Sequence, residues 1–207
     1  VEGSFQKTLQ AIRDAQAAGL SVQIGTTISR WNWQQLDQMA SIVARSGAVL
    51  WSVFFLVPTG RATHEEMISA QEHEAVFHRL FELSLSMPFR IKTTLGQPYR
   101  RVALQRGGGG DDPMAATNDG KGVCFVSHLG EIWPSGFLPL SCGNVRRHSL
   151  VEVYRHHPVF QELRDPGRLK GKCGRCPFKE LCGGCRARAY ACTADYLEAD
   201  PSCAFQP

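Results

Sequence analysis

Val49-Leu-Trp-Ser-Val-Phe-Phe-Leu-Val57 is almost continuously apolar. A strand with one face in water alternates apolar and polar residues. A strand apolar at nearly every position is covered on both faces, as in a parallel α/β sheet. The flanking sequence agrees. Residues 33–45 carry Leu36, Met39, Ile42 and Val43 on one helical face. Before them, Ser21-Val-Gln-Ile-Gly-Thr-Thr27 alternates with β-branched residues, as a strand should. Ser4 stands where it can cap an earlier helix running through Leu9, Ile12 and Ala15 and stopping at Ala18-Gly19. Downstream, Ser69-Ala-Gln-Glu72 is a capping box that opens a helix burying Val76, Leu80, Phe81 and Leu83. Phe89-Arg-Ile-Lys-Thr-Thr94 reads as a third strand. Strand–helix alternation of this kind predicts a parallel sheet or barrel. Three strands are too few for the eight of a closed barrel, so the sheet is expected to be a piece of something larger.

The chain changes character after residue 104. Gly107 to Gly110 stand in a row, followed by Asp111-Asp112-Pro113 and a polar stretch to Gly120. No GxxxxGK(S/T) or GxGxxG sits there between a strand and a helix. Residues 105–121 therefore read as a linker or loop rather than a phosphate cradle. Beyond it, Val123-Cys-Phe-Val-Ser-His128, a Leu129-Gly130 turn and Glu131-Ile-Trp-Pro-Ser-Gly136 have the pattern of a hairpin. A short helix is expected near 149–155. Few apolar runs remain after it, and a segment so short of core depends on metal for its fold.

All eight cysteines lie in this second part, from Cys124 to Cys203. No export signal opens the chain, so a cytoplasmic location is expected, where clustered cysteines bind metal more readily than they form disulfides. A net charge of +4 with no basic stripe in the first hundred residues gives no footing for nucleic acid. No apolar run approaches the length of a membrane helix. Cys173-Gly-Arg-Cys176 places two thiolates on a tight turn; Cys182 follows after five residues, Cys185 after two more, then Cys192 and Cys203. The two knuckles of a zinc ribbon are usually about 12–20 residues apart, and five is short. Iron–sulfur cages tolerate closer, less regular spacing, because a cubane spans more space than an ion. Gly183 and Gly184 let the backbone come near inorganic sulfide. Iron–sulfur ligation is therefore preferred to zinc, with disulfides third. Between Arg146 and Arg188, eleven Lys or Arg face four acids. That suits an anionic cluster, though on charge alone a solvated basic face is the simpler reading.

Cys173-x2-Cys176-x5-Cys182, the Gly183-Gly184 pair, Cys185 and the late Cys203 resemble the SPASM domain of many radical S-adenosylmethionine (SAM) enzymes. The likeness takes in the stretch from Cys124 to Leu140, Gly143-Asn-Val-Arg146, and Cys182-Gly-Gly-Cys-Arg-Ala-Arg-Ala-Tyr190. Phe55-Leu-Val-Pro-Thr-Gly-Arg-Ala62 resembles the second half of the radical SAM partial barrel. The branch is the one grouped with haem b and d1 haem biosynthesis enzymes.

The resemblance implies an α/β fold: the C-terminal part of a radical SAM partial (β/α) barrel over 1–104, a linker over 105–121, and a small cysteine-rich α+β SPASM domain over 122–207. It implies that Cys173, Cys176, Cys182 and Cys203 ligate an auxiliary [4Fe–4S] cluster. Cys124, Cys142 and Cys185 match three ligands of a second, which is absent, keeps an open iron or recruits Cys192. Thr26, Thr27, Pro58, Gly60 and Arg61 lie where such enzymes hold SAM. The parent enzyme would generate a 5′-deoxyadenosyl radical that abstracts hydrogen from a tetrapyrrole or peptide, with ferredoxin or flavodoxin as electron donor. Two departures stand out: two residues rather than three separate Cys182 from Cys185, and one early cysteine slot is empty. The CxxxCxxC that holds the SAM-reducing cluster does not occur. This chain alone is therefore expected to be inactive. The opening Val1 leads to the expectation of about 150 further residues upstream carrying that motif. The rival reading is a zinc-stabilised adaptor without catalysis.

Overall fold

The computed structural model describes residues 2–108 and 118–207. Strands β1 (Gln23–Ile28), β2 (Leu50–Phe55) and β3 (Arg90–Thr94) form a parallel sheet in the order β1-β2-β3. The central strand is the apolar run, and Trp51, Ser52, Val53 and Phe55 are buried. In register, Thr27 stands beside Phe54 and Phe54 beside Thr94. The three C-terminal strand ends therefore open on one edge, the edge where open α/β sheets bind ligands.

Helices α2 (Leu36–Arg45), α3 (Ala70–Ser86) and α4 (Pro98–Gln105) cover one face of the sheet. Leu36, Ala40 and Val43, then Val76, Phe77, Leu80 and Leu83, and Val102 meet Trp51, Val53, Phe55 and Phe89 in one core. The Ser69 capping box is present: the Glu72 N–H donates to Ser69 Oγ at 3.2 Å and the Ser69 N–H to Glu72 Oε2 at 2.7 Å. Helix α1 (Ser4–Ala17) departs from expectation at its start. Gly3 holds the cap position at φ 74°, with no side-chain acceptor, and Ser4 is already helical. The left-handed turn that glycine permits moves the boundary back by one residue. The expected helix over 33–45 opens as a 3-10 turn, Trp33–Gln35, before α2.

In the second part β4 (Phe125–Val126) and β5 (Ile132–Trp133) pair antiparallel, as the hairpin pattern predicts. Short helices follow: α5 (Leu150–His156), α6 (Pro158–Arg164), α7 (Gly171–Arg175) and α8 (Arg186–Thr193). Ser149 caps α5, accepting the Glu152 N–H. The apolar clusters here are small. One gathers Ile132, Cys142, Val153 and Phe160. The other joins Leu138, Leu163, Cys185 and Ala187 to Val57 and Leu95, which come from beyond the ends of β2 and β3.

Of the expected linker 105–121, residues 109–117 lie outside the described residues, and its last four do not behave as a linker. Asn118 and Lys121 form a β-bridge, and Asn118 and Asp119 are buried. The physical reason is polar anchoring: Asn118 Nδ2 donates to Gly184 O, and Asp119 Oδ2 accepts the Ala187 N–H, each at 2.9 Å. Among the described residues, no helix is long and apolar enough to cross a membrane.

Candidate functional site

Cys173 lies in α7, a short helix stopped by Cys176 in an extended conformation. The chain then turns tightly: the Lys179 N–H donates to Cys176 O at 3.2 Å and the Cys182 N–H to Phe178 O at 2.8 Å. Cys203 arrives from the C-terminal segment, its N–H on Asp200 O. Together Cys173, Cys176, Cys182 and Cys203 line one pocket, with Arg101 and Lys172 at its walls. Gly183 and Gly184 both have positive φ. A Cβ on Gly184 would stand 2.5 Å from Arg186 Nη2 and 3.1 Å from Cys173 Sγ, so only glycine passes here. The Gly184 N–H donates to Cys182 Sγ at 3.4 Å, and the Asp200 N–H to Cys173 Sγ at 3.4 Å.

Burial pushes the Cys182 thiol up to about 12 and raises that of Cys203. Such thiols stay protonated until a positively charged centre displaces the proton. Among the described residues, no three His, Cys, Asp or Glu draw together as a site for one ion. Four cysteines that border a common pocket are the number of thiolates a [4Fe–4S] cluster takes.

Beside this pocket is a polar network. Arg186 and Arg188, in the first turn of α8, are 1% and 0% exposed. For these two, the solvated basic face is wrong, because each has buried acceptors to satisfy. Arg188 Nη2 donates to Leu95 O at 2.8 Å, and Nε and Nη2 to Leu56 O at 3.3 Å. Its Nη1 lies 3.5 Å from Asp200 Oδ2. The Asp200 carboxylate also accepts the N–H groups of Cys185 at 2.8 Å and Ser202 at 3.0 Å. Burial alone would raise the Asp200 carboxyl, but Arg188 and those amides hold it below the usual range. Leu95 itself adopts φ 60°, costly for leucine, and Arg188 grips its carbonyl. Thus α8 ties the strand ends to the cysteine pocket. No local pattern marks Asp200, twelve residues on, as the partner of Arg188. The one available signal was the Arg-Ala-Arg-Ala run, since Ala187 and Ala189 are fully buried too.

The other four cysteines are divided. Cys142 is buried and Cys124 half-buried, both on the cluster of Ile132, Val153 and Phe160. Burial pushes the Cys142 thiol up to about 11. Cys185 belongs to the other apolar cluster, and its sulfur accepts the Arg188 N–H at 3.4 Å as the cap of α8. Cys192 Sγ stands 3.8 Å from His64 Nδ1. The structure does not gather these four around one space.

Of the residues expected at SAM, Thr27 and the loop holding Pro58, Gly60 and Arg61 share the strand-end edge, and Thr27, Gly60 and Arg61 are exposed. Thr26 differs: its Oγ1 accepts the Trp51 Nε1–H at 3.0 Å, and it pairs with Val53, on the helix-covered face. The pleat sends the side chains of Thr26 and Thr27 to opposite faces of the sheet. Beside the strand ends, about 870 Å³ of open groove lies between Thr94, Leu95 and Gly96 and the Ser135–Phe137 side of the hairpin. Lys92 and Arg100 line it.

No protein-family model matches the chain. Its fold matches that of native anSMEcpe with bound AdoMet, at a TM-score of 0.68 and 14% identity over 96% of this chain and 56% of that one. Streptococcus suis SuiB bound to precursor peptide SuiA gives 0.65, at 14% identity over 97% and 48%. The fold is α/β, that of the C-terminal part of a radical SAM structure with its cysteine-rich appendage. In sequence, the AdoMet-dependent heme synthase of Methanosarcina barkeri is 37% identical over 216 residues, covering 99% of this chain and 62% of the relative. Mycofactocin maturase MftC of Mycobacterium tuberculosis is 29% identical over 209 residues, covering 97% and 52%. These homologues support a place on the radical SAM, SPASM-type branch, and the chain spans only between half and two thirds of the length of these curated relatives.

Proposed function

We propose that this chain is the portion of a radical SAM enzyme that carries an auxiliary [4Fe–4S] cluster on Cys173, Cys176, Cys182 and Cys203. The observation that carries the reading is that these four cysteines, and not the other four, line one pocket, at which Gly184 leaves no room for a side chain. When bound, the cluster supplies one-electron transfer or an iron site for substrate, and SAM supplies the 5′-deoxyadenosyl radical. The chain's own residues hold and shield. Arg101 and Lys172 place positive charge at the pocket wall, and the Gly184 and Asp200 amides donate to the sulfurs. Thr27, Pro58, Gly60 and Arg61 meet SAM at the strand ends, and Thr26 buttresses from the covered face.

The groove beside those ends seats the substrate, a tetrapyrrole or a peptide. The heme-synthase relatives support the first, and MftC and peptide-bound SuiB the second. The electron donor is a ferredoxin or flavodoxin, and the setting cytoplasmic. A second cluster on Cys124, Cys142 and Cys185, with Cys192, requires ligation to draw those residues together. The chain is inactive without the CxxxCxxC cluster.

The test is anaerobic reconstitution with iron and sulfide. The wild-type chain should absorb broadly in the visible and hold about four iron per cluster. Cys176→Ala should lose the more stable cluster, and Cys192→Ala should keep it. Colourless protein that takes up zinc and no iron overturns the reading, as does Cys176→Ala at wild-type iron content.

A further inference from the structure

We infer that Arg186 sets the electron affinity of the group that Cys173 ligates. This rests on the auxiliary-cluster reading above. Arg186 is fully buried, and its guanidinium is fixed from several sides. Nη1 donates to Tyr196 O at 2.9 Å and Glu198 O at 2.7 Å, and Nε to Gly184 O at 3.4 Å. These acceptors are neutral carbonyls, and the nearby Asp119 and Asp200 carboxylates act on the guanidinium through space only. The remaining arm, Nη2, points at Cys173 Sγ at 3.7 Å. Cys173 therefore faces a cationic guanidinium in addition to the Asp200 amide at 3.4 Å.

Gly184 explains how the arm reaches the sulfur. Any Cβ at that position would fall 2.5 Å from Arg186 Nη2. The missing side chain is the opening through which the guanidinium meets the thiolate. A residue serving only to fasten the 196–198 segment through its carbonyls needs no such opening.

Positive charge and N–H donors at a ligating sulfur favour the reduced, more negative cluster, and so raise its reduction potential. Arg186 is thus a positioning and tuning residue rather than a catalytic one. Nothing in the inference requires substrate, because the effect is on the resting couple.

The test compares reconstituted wild type with Arg186→Lys and Arg186→Gln, reading iron content and midpoint potential by redox titration followed in the electron paramagnetic resonance spectrum. Wild-type iron uptake tests the cluster reading; the potentials test this inference. The expected order is wild type highest, Lys lower, because it keeps the charge but loses the fork, and Gln lowest, at unchanged iron per chain. If Gln fails to assemble, a lowered potential in Lys supports the proposal and an unchanged one overturns it. Unchanged potentials in iron-replete variants overturn it. So does loss of iron from both, since a tuning residue is dispensable for assembly.

Discussion

Trp51 and Arg188 are both fully buried, for opposite reasons. Trp51 sits in the sheet region, packed edge-on against Phe89 at 6.1 Å, and its burial is itself the stabilising event. Arg188 sits in the cysteine-rich region, where burial costs free energy that its bonds to Leu56, Leu95 and Asp200 must offset. The first region has one large core, the second two small clusters joined by a polar network. A region built the first way holds itself; a region built the second way leans on the Arg188–Asp200 pair and, on the proposed reading, on the group its cysteines ligate.

Withdrawing metal should expose that difference most strongly. Chelation of the reconstituted chain should abolish hydrogen-exchange protection in α7, α8 and the 196–203 segment, while β1 to β3 and α3 stay protected. Equal protection of both regions before and after chelation would break the comparison.

Two substitutions sharpen it at the next level. Trp51→Ala should cost about 3–5 kcal/mol of stability in denaturant unfolding, with iron per folded chain unchanged. Arg188→Met should cost a similar amount, roughly 3–5 kcal/mol, because it strands Asp200 as an unpaired buried charge. Here the iron should go as well, since the Asp200 amide leaves Cys173. If Trp51→Ala strips iron and Arg188→Met does not, the division of labour is reversed.

A third effect runs through pH. His73 is buried between Phe55 and Phe77, and its Nδ1–H donates to Ser69 O at 2.9 Å. Burial, with Arg188 next, lowers its value to about 4, against the upward pull of the Ser69 carbonyl, Asp200 and Glu72. Its folded value lies below the unfolded value of about 6.5, so between the two the unfolded chain binds more protons. The contribution is full above about 6.5 and is lost as pH falls towards 4, up to about 3 kcal/mol in all. Measured as unfolding free energy against pH, His73→Phe should flatten that slope relative to wild type. Identical slopes would place the acid sensitivity elsewhere.

How legible each region is in the sequence follows from the same contrast. The apolar run at 49–57 and the capping box at Ser69 are local signals, and both name their structures correctly because hydrophobic burial and capping act over a few residues. The four pocket cysteines were legible through their spacing and family resemblance. The Arg188–Asp200 pair and the Asp119 anchor were not, since each joins residues far apart in the chain and nothing near either one announces the other. Asp119 was hidden further by its polar, glycine-rich surroundings, which read as linker. Thr26 shows the limit on the sheet side: the sequence places it at a strand end, but only the pleat decides which face it takes.

The smallest effect tests the most local of these readings. Ser69 Oγ accepts the Glu72 N–H, and Glu72 Oε2 returns a bond to the Ser69 N–H. The largest influence on the Glu72 carboxyl, which lies below its ordinary range, is that Ser69 backbone bond. Ser69→Ala removes one acceptor at the start of α3 and leaves its buried face untouched, so about 1 kcal/mol should be lost. The Ser69 carbonyl that meets His73 is kept, and the acid slope should therefore survive. Iron uptake should also be unchanged, because the cap stabilises only the region with its own core. A loss well above 2 kcal/mol, or a drop in iron content, would mean that α3 transmits its stability into the cysteine pocket, with the Glu74–Arg101 ion pair as the route. Glu74→Gln read in the same assay would then show whether that pair carries it.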